Sequence, residues 1–177
     1  MRTSVRTTTT RTPLGLSVRD AYDSDLDAVA DHVHREWRER HQRAPGLARV
    51  ATDSREFHRA RLAHALATGG AVCLVAERGA ELSGYLFGSL ARTVPDHLPA
   101  RGTAVVARVR DFSVFRPDDW WGAGAALLAQ ARRRLRLMGA SAVVVDSAGE
   151  DAGKKALLWR SGLTLTGETY LADLGRS

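Results

Sequence analysis

Residues 105–128 constrain the fold more than any other part of the chain. They begin with an alternating, valine-rich pattern typical of a strand, continue through a short turn, and enter a helix pattern whose first residues are Gly122, Ala123, Gly124 and Ala125. A strand that leads directly into a small-residue helix start is typical of α/β proteins. The first amides of such a helix lack partners within the helix, and its N-terminus carries about half a positive charge. We therefore predict a cradle for a pyrophosphate at this helix start.

The glycine pattern does not match the two best-known nucleotide-binding motifs. No Gly-Lys-Ser/Thr follows it, which excludes a Walker A loop, and Leu127 stands where the dinucleotide-binding fingerprint needs its third glycine. A glycine-rich helix start also serves for close packing against neighbouring elements. Both interpretations of Gly122 and Gly124, a ligand cradle and a packing contact, stay open at this point.

Helix and strand patterns alternate over most of the remaining chain. Strand patterns lie at 16–20, 71–77, 82–90, 105–114, 142–146, 163–165 and 168–174; a first helix follows a capping box at Ser24 and Asp27, and further helix patterns lie at 54–68, 124–138 and 154–160. The order β-α-α-β-β-β-α-β-α-β-β predicts a mixed α/β (α+β) structure. The apolar run at 142–146 indicates a fully buried strand.

The length of 177 residues favours one domain, which we place at 15–177. Residues 1–14 are rich in arginine and threonine and are predicted to form a disordered leader. Three of the six net positive charges come from this leader, as Arg2, Arg6 and Arg11, and acidic residues are interleaved with the other basic ones. Nucleic-acid binding is therefore disfavoured, and it is kept only as an alternative that would act through the leader.

Composition excludes several classes of protein. No apolar run approaches the roughly 18 residues of a membrane span. Cys73 is the only cysteine, which excludes a disulfide framework and a multi-cysteine zinc site, and its apolar surroundings indicate a core residue. No metal site is expected, because His32 and His34 point to different faces of their helix. These observations favour a cytoplasmic enzyme or binding domain.

The segment with the small-residue helix start resembles the GNAT superfamily of acyl-CoA-dependent N-acetyltransferases. The family signature, Gln/Arg-x-x-Gly-x-Gly/Ala, falls on residues 119–124, and the preceding family strand, an acidic residue followed by Leu-Val-Val, falls on residues 111–114. Residues 151–163 resemble the family's later Asn-x-x-Ala…Leu-Tyr-x-Lys-x-Gly-Phe helix, with matches at Leu157, Gly162 and Leu163. The order of elements matches over about residues 16–174. The resemblance implies a central, mixed but mostly antiparallel sheet flanked by helices.

The resemblance also implies a reaction, in which a primary amine of a small molecule or peptide attacks the thioester of acetyl-CoA directly. It assigns acetyl-CoA as cosubstrate and, as cofactor-binding residues, Phe112, Ser113, Val114, Asp119, Trp120, Trp121, Gly122, Ala123, Gly124, Ala125 and Asp151. Asp111, at the end of the strand beside the expected thioester, is the first candidate for the base, and Tyr170 is a candidate acid. Asp111 has an alternative role as a structural carboxylate paired with Arg108 or Arg110. Glu36, His97 and Asp146 are weaker candidate bases.

Four positions depart from the family pattern. Asp119 replaces the signature Gln/Arg, Asp151 replaces the Asn, Leu158 replaces the Tyr that often protonates the thiolate, and the position of the glutamate base in histone-type members falls near Arg108. These departures leave a second function open, a catalytically silent domain that binds acyl-CoA. Because members of this family are often dimers, a homodimer stays open as an assembly. The sequence does not identify the acceptor amine or the acyl preference.

Overall fold

The structure, a computed structural model, describes residues 10–11, 15–43, 54–91, 105–147 and 151–167. Its strands are β1 (Thr10–Arg11), β2 (Leu16–Asp20), β3 (Ala71–Arg78), β4 (Glu81–Leu90), β5 (Val106–Val114) and β6 (Ala142–Val145). Its helices are α1 (Leu26–Arg43), α2 (Ser54–Ala67), α3 (Ala123–Leu137) and α4 (Ala152–Arg160), with 3-10 turns at Asp23–Asp25 and Pro117–Trp121. The predicted order is confirmed from the strand pattern at 16–20 to the helix pattern at 154–160.

All six strands lie in one sheet, in the order β1-β2-β3-β4-β5-β6. Each neighbouring pair is antiparallel except β5 and β6, which are parallel because α3 carries the chain back between them. The prediction of a mixed, mostly antiparallel sheet is therefore confirmed. Within the described ranges, no helix is long and apolar enough to cross a membrane.

Helices cover both faces of the sheet. Because side chains alternate along a strand, each strand contributes to the core on both faces. In β3, Val72, Leu74 and Ala76 belong to the core under α3, whereas Cys73 and Val75 belong to the core under α1 and α2. Burial away from water raises the pKa of the Cys73 thiol to about 12. The prediction that Cys73 is a core residue is confirmed.

Three details of the strands differ from the sequence predictions. The strand at 142–146 was predicted to be fully buried, but Ala142 is exposed and the three valines of β6 are only half-buried, because β6 is an edge strand among the described residues. Residues 163–167 contain no strand, and the predicted strand at 168–174 lies outside the described residues. Thr10 and Arg11, which belong to the predicted disordered leader, pair with β2.

The entry into α1 is held by Asp25 and not by the predicted capping box of Ser24 and Asp27. A 3-10 turn precedes the helix, so the Tyr22 amide donates to Asp25 Oδ2 at 2.8 Å. Arg19 donates to both Asp25 oxygens, at 2.7 and 3.0 Å. Burial opposes ionisation of Asp25, but these hydrogen bonds outweigh it and lower the pKa of the carboxyl below its ordinary value.

Trp120 is the packing centre between α3, α4 and the sheet. Its ring is 1% exposed and lies edge-to-face on Phe112, with 5.1 Å between the ring centroids. Its indole N–H donates to Asp151 Oδ2 at 3.0 Å. A Cβ added to Gly124 or Gly153 would lie 2.7 or 2.5 Å from the indole ring. Both positions therefore require glycine because the helices approach a buried tryptophan.

Asp25→Asn should destabilise the protein by about 1–2 kcal/mol at pH 7, because a neutral amide cannot replace the carboxylate that pairs with Arg19 and accepts from the Tyr22 amide. Since the pKa of Asp25 is lowered in the folded state, its contribution is complete above the unfolded value of about 3.9 and is lost as the pH falls through the folded value. Urea unfolding at several pH values should show the wild-type advantage disappear in acid. Asp23→Asn is the control, because that side chain is 77% exposed in the same turn. Equal losses in the two variants would contradict this account.

Gly124→Ala should lower the melting temperature, although alanine favours a helix by about 1 kcal/mol over glycine. The new Cβ would lie 2.7 Å from Trp120 Cε3 and 3.2 Å from Leu157 Cδ2, and both side chains are buried. Overpacking of this kind costs about 1–3 kcal/mol, so we expect a net fall of a few degrees in a thermal melt. Gly70→Ala is the control, because nothing lies within 4 Å of its Cβ position. A melt of Gly124→Ala that matches this control would disprove the packing explanation.

Candidate active site

Strands β5 and β6 part in the middle of β5, and we call this opening the fork. Their pairing runs from Val106 opposite Ala142 to Val109 opposite Val145, whereas β5 continues to Val114. The register between β4 and β5 shifts at the same point, so Arg110 is an extra residue on β5. Such a bulge bends a strand and raises its twist. Beyond Val109, no described strand covers this edge of β5.

The ammonium group of Lys154 lies inside the fork. It donates to the Phe112 carbonyl at 2.9 Å and to the Asp146 carbonyl at 3.2 Å, one from each side of the opening. Because the backbone groups of alternate residues point to the same edge of a strand, Val114 directs its N–H to the same side as Phe112. The fork therefore offers backbone donors next to a cation. Sequence reasoning missed Lys154; the only signal was a lysine on the inward face of a short helix.

Three side chains meet on the face of β5 that lies under α1, and we call them the Ser113 cluster: His32, Glu36 and Ser113. Ser113 Oγ donates to Glu36 Oε1 at 2.6 Å, and His32 Nε2 lies 3.4 Å from each of these two oxygens. The His32 ring is stacked on Phe115, with 4.5 Å between centroids. The Glu36 side chain is 36% exposed, so its carboxylate reaches solvent while it contacts the strand.

Only part of this cluster was predicted. Glu36 was a weaker candidate base and Ser113 was assigned only to cofactor binding, while His32 had no assigned role. The available signal was the spacing of four residues between His32 and Glu36, which places them on one helix face. Their meeting with Ser113, 77 residues further along the chain than Glu36, depends on how α1 crosses the sheet.

Asp111 is held by Arg61 of α2. Two Arg61 nitrogens donate to the two Asp111 oxygens, both at 2.6 Å, and the Asp111 side chain is 13% exposed. Hydrogen bonding to Asp111 raises the pKa of Arg61, which keeps the guanidinium charged. The predicted alternative partners of Asp111 were Arg108 and Arg110, but Arg108 pairs instead with Asp146 at 2.9 Å. Asp111 on β5 and Asp146 directly after β6, both candidate bases, are therefore each paired with an arginine.

The helix start at α3 separates the predicted cofactor residues into two groups. Gly124 and Asp151 both contact Trp120 in the packing centre described above. Asp151 also caps α4 by accepting from the Lys154 amide at 2.9 Å. Trp121 is about half exposed and lies 5.3 Å from the Arg160 guanidinium. For Gly124 the packing interpretation is thus sufficient.

Gly122, Asp119 and Arg78 form the outer part of the helix start. Gly122 is the N-cap of α3 and makes no side-chain cap hydrogen bond, and the first turn of α3 contains no acidic residue. A Cβ at Gly122 would lie 2.8 Å from Arg78 Nη2 and 2.9 Å from Asp119 Oδ1. An uncapped helix start with a cation beside it fits a bound anion.

Two candidate residues lie outside the described residues, Tyr170 and His97. Their predicted roles as acid and as alternative base are therefore not placed by the structure. Among the described predicted residues, Phe112, Ser113 and Val114 line the fork, and Gly122, Ala123 and Ala125 form the adjacent helix start.

Solved structures share this fold at low sequence identity. A GCN5-related N-acetyltransferase from Ralstonia eutropha JMP134 matches with a TM-score of 0.66 and 20% identity, over 91% of this chain and 100% of its own. An aminoglycoside 6′-N-acetyltransferase from Acinetobacter haemolyticus matches with a TM-score of 0.64 and 16% identity, over 90% and 99%. A predicted acetyltransferase from Clostridium acetobutylicum, solved with acetyl-CoA, matches with a TM-score of 0.63 and 13% identity, over 90% and 96%.

No protein-family model matches the sequence, and no curated protein matches it in sequence. The structural neighbours are nevertheless consistent with one another and with the resemblance seen at residues 111–124. The chain has the fold of the GCN5-related N-acetyltransferases.

Proposed function

We propose that the chain is an acyl-CoA-dependent N-acetyltransferase that transfers an acetyl group from acetyl-CoA to a primary amine of a small molecule or peptide. The observation that carries the proposal is the fork. Residues 112–114 have an open backbone edge there, the Glu36 carboxylate contacts Ser113, and the uncapped start of α3 follows shortly after in the chain. The neighbours solved with acetyl-CoA or named for aminoglycoside acetylation support this donor and an amine acceptor.

The residues present fit the cosubstrate. The helix start at Gly122 would hold its pyrophosphate, and the backbone of Phe112 and Val114 would hold the part that carries the acyl group. Bound acetyl-CoA supplies a thioester, whose carbonyl carbon receives the amine. The Val114 amide donates toward the open edge, where it would polarise a carbonyl oxygen. Lys154 adds a positive charge to the same opening, which favours negative charge that develops there.

The acceptor must lose a proton to react. An alkyl amine with a pKa of about 10.4 costs about 4.6 kcal/mol to deprotonate at pH 7, so a nearby base is needed. In the balanced reaction, a C–N bond forms, the C–S bond breaks, one amine proton goes to the base, and the sulfur takes up a proton. Glu36 is our choice for the base, because its carboxylate is one-third exposed and bound to Ser113 at the centre of the open segment. The acid is left to Tyr170, as the sequence proposed.

Asp111 competes with Glu36 for the role of base. Both Asp111 oxygens accept short hydrogen bonds from Arg61, so proton uptake there would break an ion pair. Glu36 Oε1 accepts from the Ser113 hydroxyl, and the Glu36 side chain is 36% exposed against 13% for Asp111, so an incoming amine has easier access to Glu36. We therefore propose that Asp111 positions α2 against β5.

Glu36→Gln should lower kcat/KM by about 100- to 10,000-fold, because the amide cannot accept the amine proton. The acidic limb of the pH profile of kcat/KM should also flatten. Release of the CoA thiol over a panel of amines measures the rate. Calorimetry with acetyl-CoA should give an unchanged affinity, because Glu36 lies on the acceptor side of β5 in this proposal.

Asp111→Asn is the matched comparison, since it makes the same change of charge two residues from Ser113. We expect reduced stability but a retained pH profile. The opposite result, in which Asp111→Asn flattens the profile and Glu36→Gln does not, would make Asp111 the base. Full activity in both variants would exclude both carboxylates.

A silent acyl-CoA-binding domain is the second candidate, favoured by Leu158. This residue occupies the position of the family's tyrosine and packs against the core under α3, where it has no proton to give. Acetyl-CoA binding without thiol release over the whole amine panel would support this function over catalysis.

A further inference from the structure

We infer that Arg78, at the end of β3, is the side chain that binds the cosubstrate's pyrophosphate, and that Asp119 positions it. This inference rests on the proposed use of acetyl-CoA and goes beyond it by naming the recognition residue. In the signature that the sequence resembles, the cationic or amide side chain stands at the position of Asp119. In this chain the cation comes instead from the end of β3.

The first observation is the ion pair itself. Arg78 Nη2 donates to Asp119 Oδ1 at 2.6 Å, across 41 residues of sequence. The Asp119 side chain is 13% exposed and the Arg78 side chain is 40% exposed. The carboxylate is thus the buried, fixed partner, and the guanidinium is the partner that still faces solvent.

The second observation is where the pair lies. Arg78 Nη2 and Asp119 Oδ1 are the two atoms that a Cβ at Gly122 would strike, at 2.8 and 2.9 Å. The guanidinium therefore lies directly beside the N-cap of α3. A cation beside the positive end of a helix is unfavourable by itself, and Asp119 balances only one charge. An anion bound between Arg78 and the helix amides would complete the balance.

The third observation is the unused capacity of the guanidinium. Arginine has five N–H donors in a planar fork suited to phosphate. Among the residues that the structure describes, Arg78 uses one nitrogen, in the hydrogen bond to Asp119. The side chain is held in place by a carboxylate before the ligand arrives, so less conformational freedom is lost on binding. Asp119 therefore has two opposing effects on the cosubstrate, because it repels phosphate directly and recruits Arg78 to bind it.

The test is calorimetric binding of acetyl-CoA and of S-acetylpantetheine, which lacks all phosphates. Arg78→Gln should weaken acetyl-CoA about 10- to 100-fold, reduce the dependence of its affinity on salt, and leave S-acetylpantetheine unchanged. Arg136→Gln is the control, because it also removes one positive charge, but from the last turn of α3, at the opposite end from the proposed pyrophosphate site. It should leave both affinities unchanged.

The positioning role of Asp119 is tested by whether Asp119→Asn raises or lowers the affinity for acetyl-CoA. Asp119→Asn in the wild-type background should weaken acetyl-CoA, because Arg78 loses its fixed partner. In the Arg78→Gln background the same substitution should strengthen binding, because only the repulsion remains. The double variant Arg78→Gln/Asp119→Arg should recover most of the affinity, since it returns the cation to the signature position. Thermal melts show that each variant is folded at the titration temperature.

The outcomes separate the two proposals. If the wild-type protein binds acetyl-CoA and Arg78→Gln does not weaken this binding, the role of Arg78 is overturned and the acetyltransferase proposal stays intact. The same holds if Arg78→Gln weakens the binding of acetyl-CoA and of S-acetylpantetheine equally. Asp119→Asn with the same sign in both backgrounds overturns the positioning role. No binding of acetyl-CoA by the wild-type protein overturns both. Binding without turnover removes only the catalytic part of the proposed function.

Discussion

The parting of β5 from β6 is the constraint on which the site depends. Parallel pairing stops at Val109, one residue before the bulge at Arg110, and the free edge of β5 that follows must satisfy its backbone polar groups in another way. Lys154 donates to the Phe112 carbonyl on β5 and to the Asp146 carbonyl directly after β6, which holds the two sides of the opening without closing it. The parity change at the bulge also turns Asp111 and Ser113 toward α1 and α2. One irregularity thus creates the opening and selects the side chains that border it.

Ion pairs fix three of the acidic groups near the opening. Asp111, Asp119 and Asp146 are each bound by an arginine from a different element, at 2.6, 2.6 and 2.9 Å. Glu36 contacts β5 through the Ser113 hydroxyl, and its side chain is 36% exposed.

The small residues around α3 serve two purposes that look alike in the sequence. Gly124 and Gly153 are required by the buried Trp120 ring, which joins α3, α4 and β5. Gly122 faces Arg78 and Asp119 at the surface and leaves the helix start without a side-chain cap. The proposed ligand cradle and a packing contact thus lie within three residues of each other. Only the neighbouring side chains distinguish them.

The sequence by itself determined the order of helices and strands, the α/β class and the place of the strand-to-helix segment, because these depend on local periodicity and on short motifs. It also indicated Cys73 as a core residue. It could not show the partners of Asp111, Asp119 and Glu36, since Arg61, Arg78 and Ser113 lie 50, 41 and 77 residues away. Nor could it show that β6 is only half-buried or that Lys154 enters the fork. Those features were decided by the tertiary structure, because long-range charge pairs and edge positions depend on which strands become neighbours.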